Sequence, residues 1–328
     1  MTKQSRHKTI NWGIIGPGNI ASKFAQDLLT IEDAKLYAVA SRSKEKATDF
    51  ATKHHATKVF DNYEDLANDP NIDAVYIATP HSFHKTHALL CLERGKAVLC
   101  EKPFAMNAQE VSTMITMAKE NNVLLMEALW TCFLPHYQFV LKELANKTYG
   151  KLLKLEADFG FVSNHSKTSR VWNKSLGGGS LLDIGIYPVF AALSTLGKPN
   201  NIKADATFFE TGADATCAIT FNYNEDVKAL LKSSFLEETP NEAVFYCENG
   251  IIKINDGFHS PTTVSLIVDG KENIKTFDST TLGYDYEIMH FNQLLRDNKT
   301  ESDIMTFAFS KLLIETLDAV RNQIGLDY

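Results

Sequence analysis

An α/β architecture in two parts is predicted for this chain: a doubly wound parallel sheet first, then an α/β domain with a large, mostly antiparallel sheet. Three observations lead there. Short apolar runs alternate with amphipathic stretches up to about residue 126, the pattern of βαβ units. Period-two alternation takes over after Gly150, as in Leu153, Leu155, Ala157 and Phe159, which marks strands with one wet face. A length of 328 residues also exceeds the usual roughly 100–200 residues of one core.

In the first part, strands are expected at 11–15, 35–40, 58–60, 74–78, 97–100 and 123–126. Several are almost wholly apolar, as in Val75-Tyr76-Ile77-Ala78, the mark of strands covered on both faces. Helical spacing fills 20–29, 44–54, 63–67, 83–94 and 108–120. Asn107 followed by Glu110 forms a loose capping box before the last of these. A connecting helical segment is expected over 127–146.

Alternating runs follow at 151–161, 204–210, 213–221, 229–235, 243–247, 251–254 and 263–268. Turn signals such as Glu248-Asn249-Gly250 and Asn255-Asp256-Gly257 separate them. Helical spacing returns at 284–296 and 305–323. Residues 8–128 are read as one domain and 129–328 as a second, whose last helices can pack back on the first.

The composition is that of an ordinary globular protein, with 44% hydrophobic and 22% charged residues. A net charge of −7 argues against a nucleic-acid partner, which calls for a basic excess. The basic start of the chain has no apolar stretch behind it, and no run of roughly 20 apolar residues suggests a membrane span. Five scattered cysteines show neither Cys-x-x-Cys nor zinc spacing. Reduced thiols in the cytoplasm are the expectation.

Gly16-x-Gly18-x-x-Ala21 follows the first strand and opens a helix, the context that gives this motif its meaning. Gly16 allows the tight turn, and Gly18 lets backbone approach a pyrophosphate. The free N–H groups of a helix beginning at Asn19-Ile20 face the anion. The first domain is thus a dinucleotide-binding Rossmann domain. The second strand ends on Ala40-Ser41-Arg42-Ser43-Lys44, where an NAD site usually carries an acid. A hydroxyl and a guanidinium suit the 2′-phosphate of NADP, with NAD still admissible.

Cys100-Glu101-Lys102-Pro103 closes the fifth strand, at the sheet edge where open α/β folds place ligands. The Lys102–Pro103 bond is expected to be cis. Downstream runs Leu176-Gly177-Gly178-Gly179-Ser180-Leu181-Leu182-Asp183-Ile184-Gly185-Ile186-Tyr187-Pro188. If a helix starts there, Asp183 and Tyr187 share a face, although Pro188 disturbs it. The glycine run is read as bare backbone beside a nicotinamide. Arg170 and Trp172 precede it, and both polar tips can reach cofactor or substrate. His81, His84 and His87 lie at a spacing that does not keep three ligands on one helix face, so no metal is expected.

The Gly16–Ala21 turn, Ala78-Thr79-Pro80 with His84, Glu101-Lys102-Pro103 and the Gly177–Tyr187 block together resemble the Gfo/Idh/MocA oxidoreductase family. Glu127-Ala128-Leu129-Trp130-Thr131 and the Gly177–Pro188 block look most like its dimeric dihydrodiol dehydrogenases and NADP-dependent D-xylose dehydrogenases. That subgroup usually has arginine where this chain has Cys132. The resemblance implies a catalytic set of Lys102, Asp183 and Tyr187. It also implies cofactor contacts from Thr79, Pro80, His84, Glu101, Lys102 and Trp172, and a homodimer through the second sheet.

Oxidation of a carbinol needs a base for the hydroxyl proton. A tyrosine, ordinarily titrating near ~10, serves only when a cation such as Lys102 favours its phenolate. The expectation is an NAD(P)-dependent oxidoreductase acting on a sugar, polyol or cyclic diol, with its site in an interdomain cleft. The alternatives are a catalytically silent dinucleotide-binding sensor or scaffold, and a glycoside-processing enzyme with tightly held NAD. Retention of Lys102, Asp183 and Tyr187 speaks against the first, and Ser41-Arg42 against the second.

Overall fold

A computed structural model describes residues 8–163 and 169–328. The basic start of the chain, residues 1–7, lies outside them. Two compact units emerge. The first holds residues up to Ala105 with Gln109–Trp130 and Thr281–Phe307, and the second holds Met106–Ala108, Thr131–Thr280 and Ala308–Tyr328.

The first unit is a parallel sheet of β1 (Ile10–Ile15), β2 (Ala34–Ala40), β3 (Lys58–Phe60), β4 (Ala74–Ile77), β5 (Ala97–Glu101) and β6 (Leu125–Ala128). Its spatial order is β3-β2-β1-β4-β5-β6, the doubly wound Rossmann arrangement. The intervening helices are α1 (Asn19–Leu28), α2 (Lys44–His54), α3 (Tyr63–Asn68), α4 (His84–Leu92) and α5 (Ala108–Asn121). The order reverses between β1 and β4, so a crevice opens at their carboxyl ends.

Aromatic rings fill the core of this unit. Trp12 is fully buried, its ring 5.5 Å from Phe24 and 5.1 Å from Phe291, and its Nε1–H donates to Asn292 Oδ1 at 3.1 Å. Phe24 stacks on Tyr76 at 3.7 Å. The helix Tyr284–Arg296 is tied to α1 by Asp27, whose carboxylate accepts the Leu282 and Tyr284 N–H groups at 3.0 and 2.8 Å. The same helix buries Glu287 completely, and among the described residues neither of its carboxyl oxygens has a hydrogen-bond partner. Burial, then the charges of Glu101 and Asp27, push its pKa well above the ordinary carboxyl range.

The expected helical segment over 127–146 is broken. β6 runs to Ala128, a tight turn covers Trp130–Phe133, and α6 (Pro135–Ala145) begins at a proline. Proline suits a first helical position and holds Leu134 extended before it, so the helix cannot start earlier.

The second unit is built on β7 (Leu152–Gly160), β8 (Asn201–Phe208), β9 (Asp214–Asn222), β10 (Lys228–Ser234), β11 (Ala243–Cys247), β12 (Gly250–Ile254), β13 (Val264–Val268) and β14 (Lys271–Lys275). The order is β14-β13-β12-β11-β7-β10-β9-β8, and only β7 with β10 pairs in parallel. β14 escapes the sequence reading because every residue of its Lys-Glu-Asn-Ile-Lys run is exposed. An edge strand with both faces wet shows no alternation.

Against the sheet lies α7 (Ile186–Leu196), entered through a π-helical turn at Leu181–Gly185. The run Lys174–Leu196 is apolar and long enough to cross a membrane by composition, which the sequence reading had not noted. With 94% of its most apolar window buried inside the protein, it is a core element. Tyr284–Arg296 is labelled α8, and α9 (Phe307–Ile324) follows, with Gln323 Nε2 donating to the Ile202 carbonyl at 2.6 Å.

Glu287 gives a stability test. Its folded pKa is raised, so the folded chain holds the proton more tightly, and stability falls as pH rises above the unfolded value of 4.5. Glu287→Gln has no proton to lose. Its melting temperature relative to the parent should therefore increase from pH 5 to pH 8 by at least about 2 °C. A constant difference across that range would contradict the assignment.

Candidate active site

The dinucleotide-binding turn meets its requirements through backbone. Gly16 has φ +88°, and a Cβ there would stand 2.8 Å from the Ala78 carbonyl group and 2.9 Å from Thr79 Cγ2. No side chain can replace it. Gly18 is the opposite case: a Cβ would meet nothing within 4 Å, so the space above it is open. Gly18 also caps α1 without any side-chain hydrogen bond, and the first turn, Asn19 and Ile20 included, carries no acid. An uncapped helix start facing open space fits a pyrophosphate.

At the end of β2, Ser41 Oγ accepts the Ser43 N–H at 3.2 Å, and Ser43 Oγ caps α2 by accepting the Lys46 N–H at 3.3 Å. The guanidinium of Arg42 lies 5.7 Å from the Phe83 ring centre. The loop is therefore shaped by its own hydroxyls and holds its cation over an aromatic face.

Beyond β4 the chain passes through Thr79 and Pro80 into a short turn, His81–Phe83, and then α4. His84, fully buried, reaches the Thr79 carbonyl through Nε2 and the Pro103 carbonyl through Nδ1, both at 2.8 Å. A ring facing two carbonyl oxygens can bond both only as an imidazolium. It braces the end of β4 against the Lys102 loop, and both ring nitrogens are taken up by these carbonyls. His87 meets Thr79 Oγ1 at 3.0 Å, and burial, then the charges of His84 and Arg42, lower its pKa to about 4. Among the described residues no three His, Cys, Asp or Glu side chains gather as metal ligands.

The loop 101–104 is fastened on all sides. The Lys102–Pro103 peptide is cis. Glu101, at the end of β5, accepts the Tyr76 hydroxyl and, at 3.2 Å, the Lys102 N–H. Glu127 on β6 accepts the Phe104 N–H at 3.0 Å. Lys102 thus leaves from a braced backbone. Tyr76 and Glu127 were not singled out from the sequence as part of this framework, although a carboxylate inside the apolar run of β6 is the kind of signal that marks one.

In the second unit, Asp183 lies in the π-helical turn and Tyr187 in the first turn of α7. Arg170 Nη2 donates to Asp183 Oδ1 at 2.9 Å. The wide π turn resolves the difficulty of Pro188, because it replaces the i to i−4 pattern that a proline would break. Tyr187 packs 5.0 Å from the His259 ring and 5.8 Å from Phe159. His259, in the loop after β12, carried no sequence signal. Trp172 stacks on Phe209 at 3.6 Å beside a small core with Val171, Ile184 and Phe235, and its buried indole N–H has no hydrogen-bond partner among the described residues. Cys132 is buried in the turn before α6, and its carbonyl accepts from Gln138 Nε2.

The glycine run answers to neighbours within its own unit, not only to a ligand. A Cβ on Gly178 would stand 2.4 Å from the Arg170 carbonyl oxygen and 2.7 Å from that of Val171. On Gly179, at φ +124°, it would meet Asp214 Oδ1 at 2.0 Å. The sequence-selected residues thus form two sets. Gly16, Gly18, Asn19, Ile20, Ser41, Arg42, Thr79, Pro80, His84, Glu101 and Lys102 belong to the first unit, and Trp172, Asp183 and Tyr187 to the second.

Family models match parts of both units. Residues 10–129 match the model of an oxidoreductase family with an NAD-binding Rossmann fold, and residues 137–253 match the GFO/IDH/MocA C-terminal domain. Trans-1,2-dihydrobenzene-1,2-diol dehydrogenase of Xenopus tropicalis is 37% identical, covering 97% of this chain and 98% of the relative. The protein of that name from Mus musculus is also 37% identical with the same coverage. A 3-ketoreductase from Actinomadura kijaniata, solved with NADP and TDP-benzene, has the same fold at TM-score 0.87 and 23% identity, covering 97% of this chain and 98% of that one. An aldose–aldose oxidoreductase from Caulobacter crescentus, solved with glycerol, matches at TM-score 0.87 and 20% identity, covering 96% and 97%. Fold, dinucleotide turn and full-length likeness agree: the chain belongs to the Gfo/Idh/MocA oxidoreductase family and is an NAD(P)-dependent dehydrogenase acting on CH–OH groups.

Proposed function

We propose that the protein moves a hydride between nicotinamide, as NADP in preference to NAD, and a carbinol or carbonyl of a sugar or cyclic diol, with Tyr187 as proton acid and base assisted by Lys102. The observation that carries the reading is the bracing of the Lys102–Phe104 backbone, by Glu101 at Lys102, His84 at Pro103 and Glu127 at Phe104. Such support suits a residue that must be placed rather than a solvated surface lysine. The full-length relatives named for a dihydrodiol support the substrate class.

Bound oxidised nicotinamide supplies the hydride acceptor. In this reading Tyr187 takes the hydroxyl proton as the carbinol is oxidised and returns it in the opposite direction. A phenol is a weak base near neutral pH, and the Lys102 ammonium favours its phenolate. Asp183, its Oδ1 held by Arg170, orients the substrate hydroxyl or the lysine. The open helix start at Gly18 takes the pyrophosphate, with Asn19 and Ile20 in its first turn. Ser41 and Arg42 take the 2′-phosphate. Thr79, Pro80 and His84 line and brace the cofactor loops, and the Trp172 indole N–H donates to cofactor or substrate.

A homodimer through the second sheet belongs to the same reading. The outward side of β7–β10 presents Leu230 among Lys203, Lys232, Glu156 and Asp158, a mixture of charges two copies can match. Five free thiols fit a reducing cytoplasm.

The test is NADPH absorbance with both cofactors and a panel of dihydrodiols, aldoses and ketoses. Tyr187→Phe and Lys102→Met should each lower kcat by roughly 10²–10⁴-fold, the range for a positioned acid–base group. The double variant should be little worse than either, since both serve one proton transfer. Full turnover in either single variant sinks the mechanism, and no turnover with any member of the panel in the parent overturns the substrate class.

Cofactor choice is tested separately. Arg42→Ala should raise the KM for NADP by about tenfold or more and leave that for NAD nearly unchanged, the loss expected for one charged hydrogen bond. Equal or better use of NAD by the parent overturns the preference.

A further inference from the structure

The π-helical turn that carries Asp183, with Tyr187 just beyond it, starts from a carboxylate that the mechanism above does not use. Asp214, the first residue of β9, is fully buried. Its Oδ2 accepts the Ser180 hydroxyl and the Leu181 N–H, both at 2.7 Å. Ser180 Oγ lies 3.0 Å from Ser233 Oγ on β10, and all of these groups are buried. Among the described residues Oδ1 has no hydrogen-bond partner, and it fills the space a side chain on Gly179 would need. From the other side the Tyr328 hydroxyl donates to the Gly178 carbonyl at 2.8 Å. The Gly179 N–H donates to the Val171 carbonyl at 2.9 Å, so the segment that supplies Arg170 to Asp183 hangs on the same turn.

We propose that Asp214 is the positioning residue of this site: its buried carboxylate fixes the turn that presents Asp183 and Tyr187, and turnover requires its ionised form. The proposal rests on the roles given above to those two residues. A carboxylate accepts about twice as strongly as a neutral acid. Protonation at Oδ2 displaces one of its two donors, and at Oδ1 it removes the charge that strengthens both bonds. Either way the hold on Ser180 and Leu181 weakens.

Burial raises the Asp214 pKa to about 6, against the lowering effect of the bonds from Ser180 and Leu181. The other titratable groups that sense it are Cys217 on β9 and Tyr328 after α9, with Arg321 and Asp183 bearing on Tyr328. Burial pushes Cys217 and Tyr328 up, so both stay neutral here. Asp214 is thus the group of this cluster that changes charge near pH 6.

The experiment pairs kcat against pH with amide hydrogen exchange of residues 178–187, corrected for the intrinsic rate, on the intact protein. In the parent, kcat and protection of the Leu181 amide should fall together below about pH 6, by about tenfold or more, the effect of weakening one charged hydrogen bond. Asp214→Asn keeps an oxygen for both donors and has no proton to gain, so both acid limbs should disappear while the KM for the cofactor holds. Ser180→Ala removes one donor, which should move both limbs to higher pH and serves if the Asn variant does not fold. Acid limbs unchanged in these variants overturn the proposal, as does protection that follows pH while kcat does not. Failure of the Tyr187 mechanism is separable: it would show as full activity in Tyr187→Phe, with the exchange result at Leu181 unaffected.

Discussion

A buried carboxylate accepting a backbone N–H is the interaction on which both halves of this molecule depend. Asp27 fixes the start of α8, Glu127 holds Phe104, Glu101 holds Lys102, and Asp214 holds Leu181. Each is an apolar-environment bond between a charge and a main-chain donor, worth about 1.5–3 kcal/mol when formed and leaving an unsatisfied group when lost. Loops at sheet edges expose backbone groups that strands would have paired, and these side chains pair them instead. The result is irregular backbone with defined geometry.

The arrangement carries an electrostatic constraint. Glu287 senses the charges of Glu101 and Asp27 within the first unit, and among the described residues it has no donor of its own. Buried like charges cannot all remain ionised. Glu287, without such a donor, holds its proton more tightly, while Glu101 accepts the Tyr76 hydroxyl and the Lys102 N–H and Asp27 accepts the N–H groups of Leu282 and Tyr284. Tyr76 belongs to the same balance. Burial and the nearby acids drive its pKa far up, so it serves Glu101 as a donor.

The second unit uses glycine for the same end. Gly178 is pressed by the carbonyls of Arg170 and Val171, Gly179 by Asp214, and Gly185 by Ser233, whose Oγ lies 2.8 Å from the site of a Cβ. Close approach of backbone to strand lets β9 and β10 grip the start of the π turn. The wide turn then admits Pro188 without breaking an α-helical ladder. Ligand approach and internal packing are both served by bare backbone, and here the packing is visible in the chain's own atoms.

Local rules made much of this legible in the sequence. Apolar runs alternating with helical spacing specified the parallel sheet, period two specified the antiparallel one, and Gly16 with Gly18 specified an anion-binding turn, because these patterns record which faces are buried and which backbone must be bare. The cis bond at Pro103 was readable too, because cis peptides are essentially a proline feature of tight turns. β14 was not, since an edge strand with two wet faces has no pattern to read. Nor were Tyr76, Asp214 and His259 readable as neighbours of Glu101, Leu181 and Tyr187. The Tyr76 donor of Glu101 and the Leu181 donor of Asp214 lie 25 and 33 residues away along the sequence, and those of Asp27 lie 255 and 257 away; only the folded packing brings such segments within a hydrogen bond.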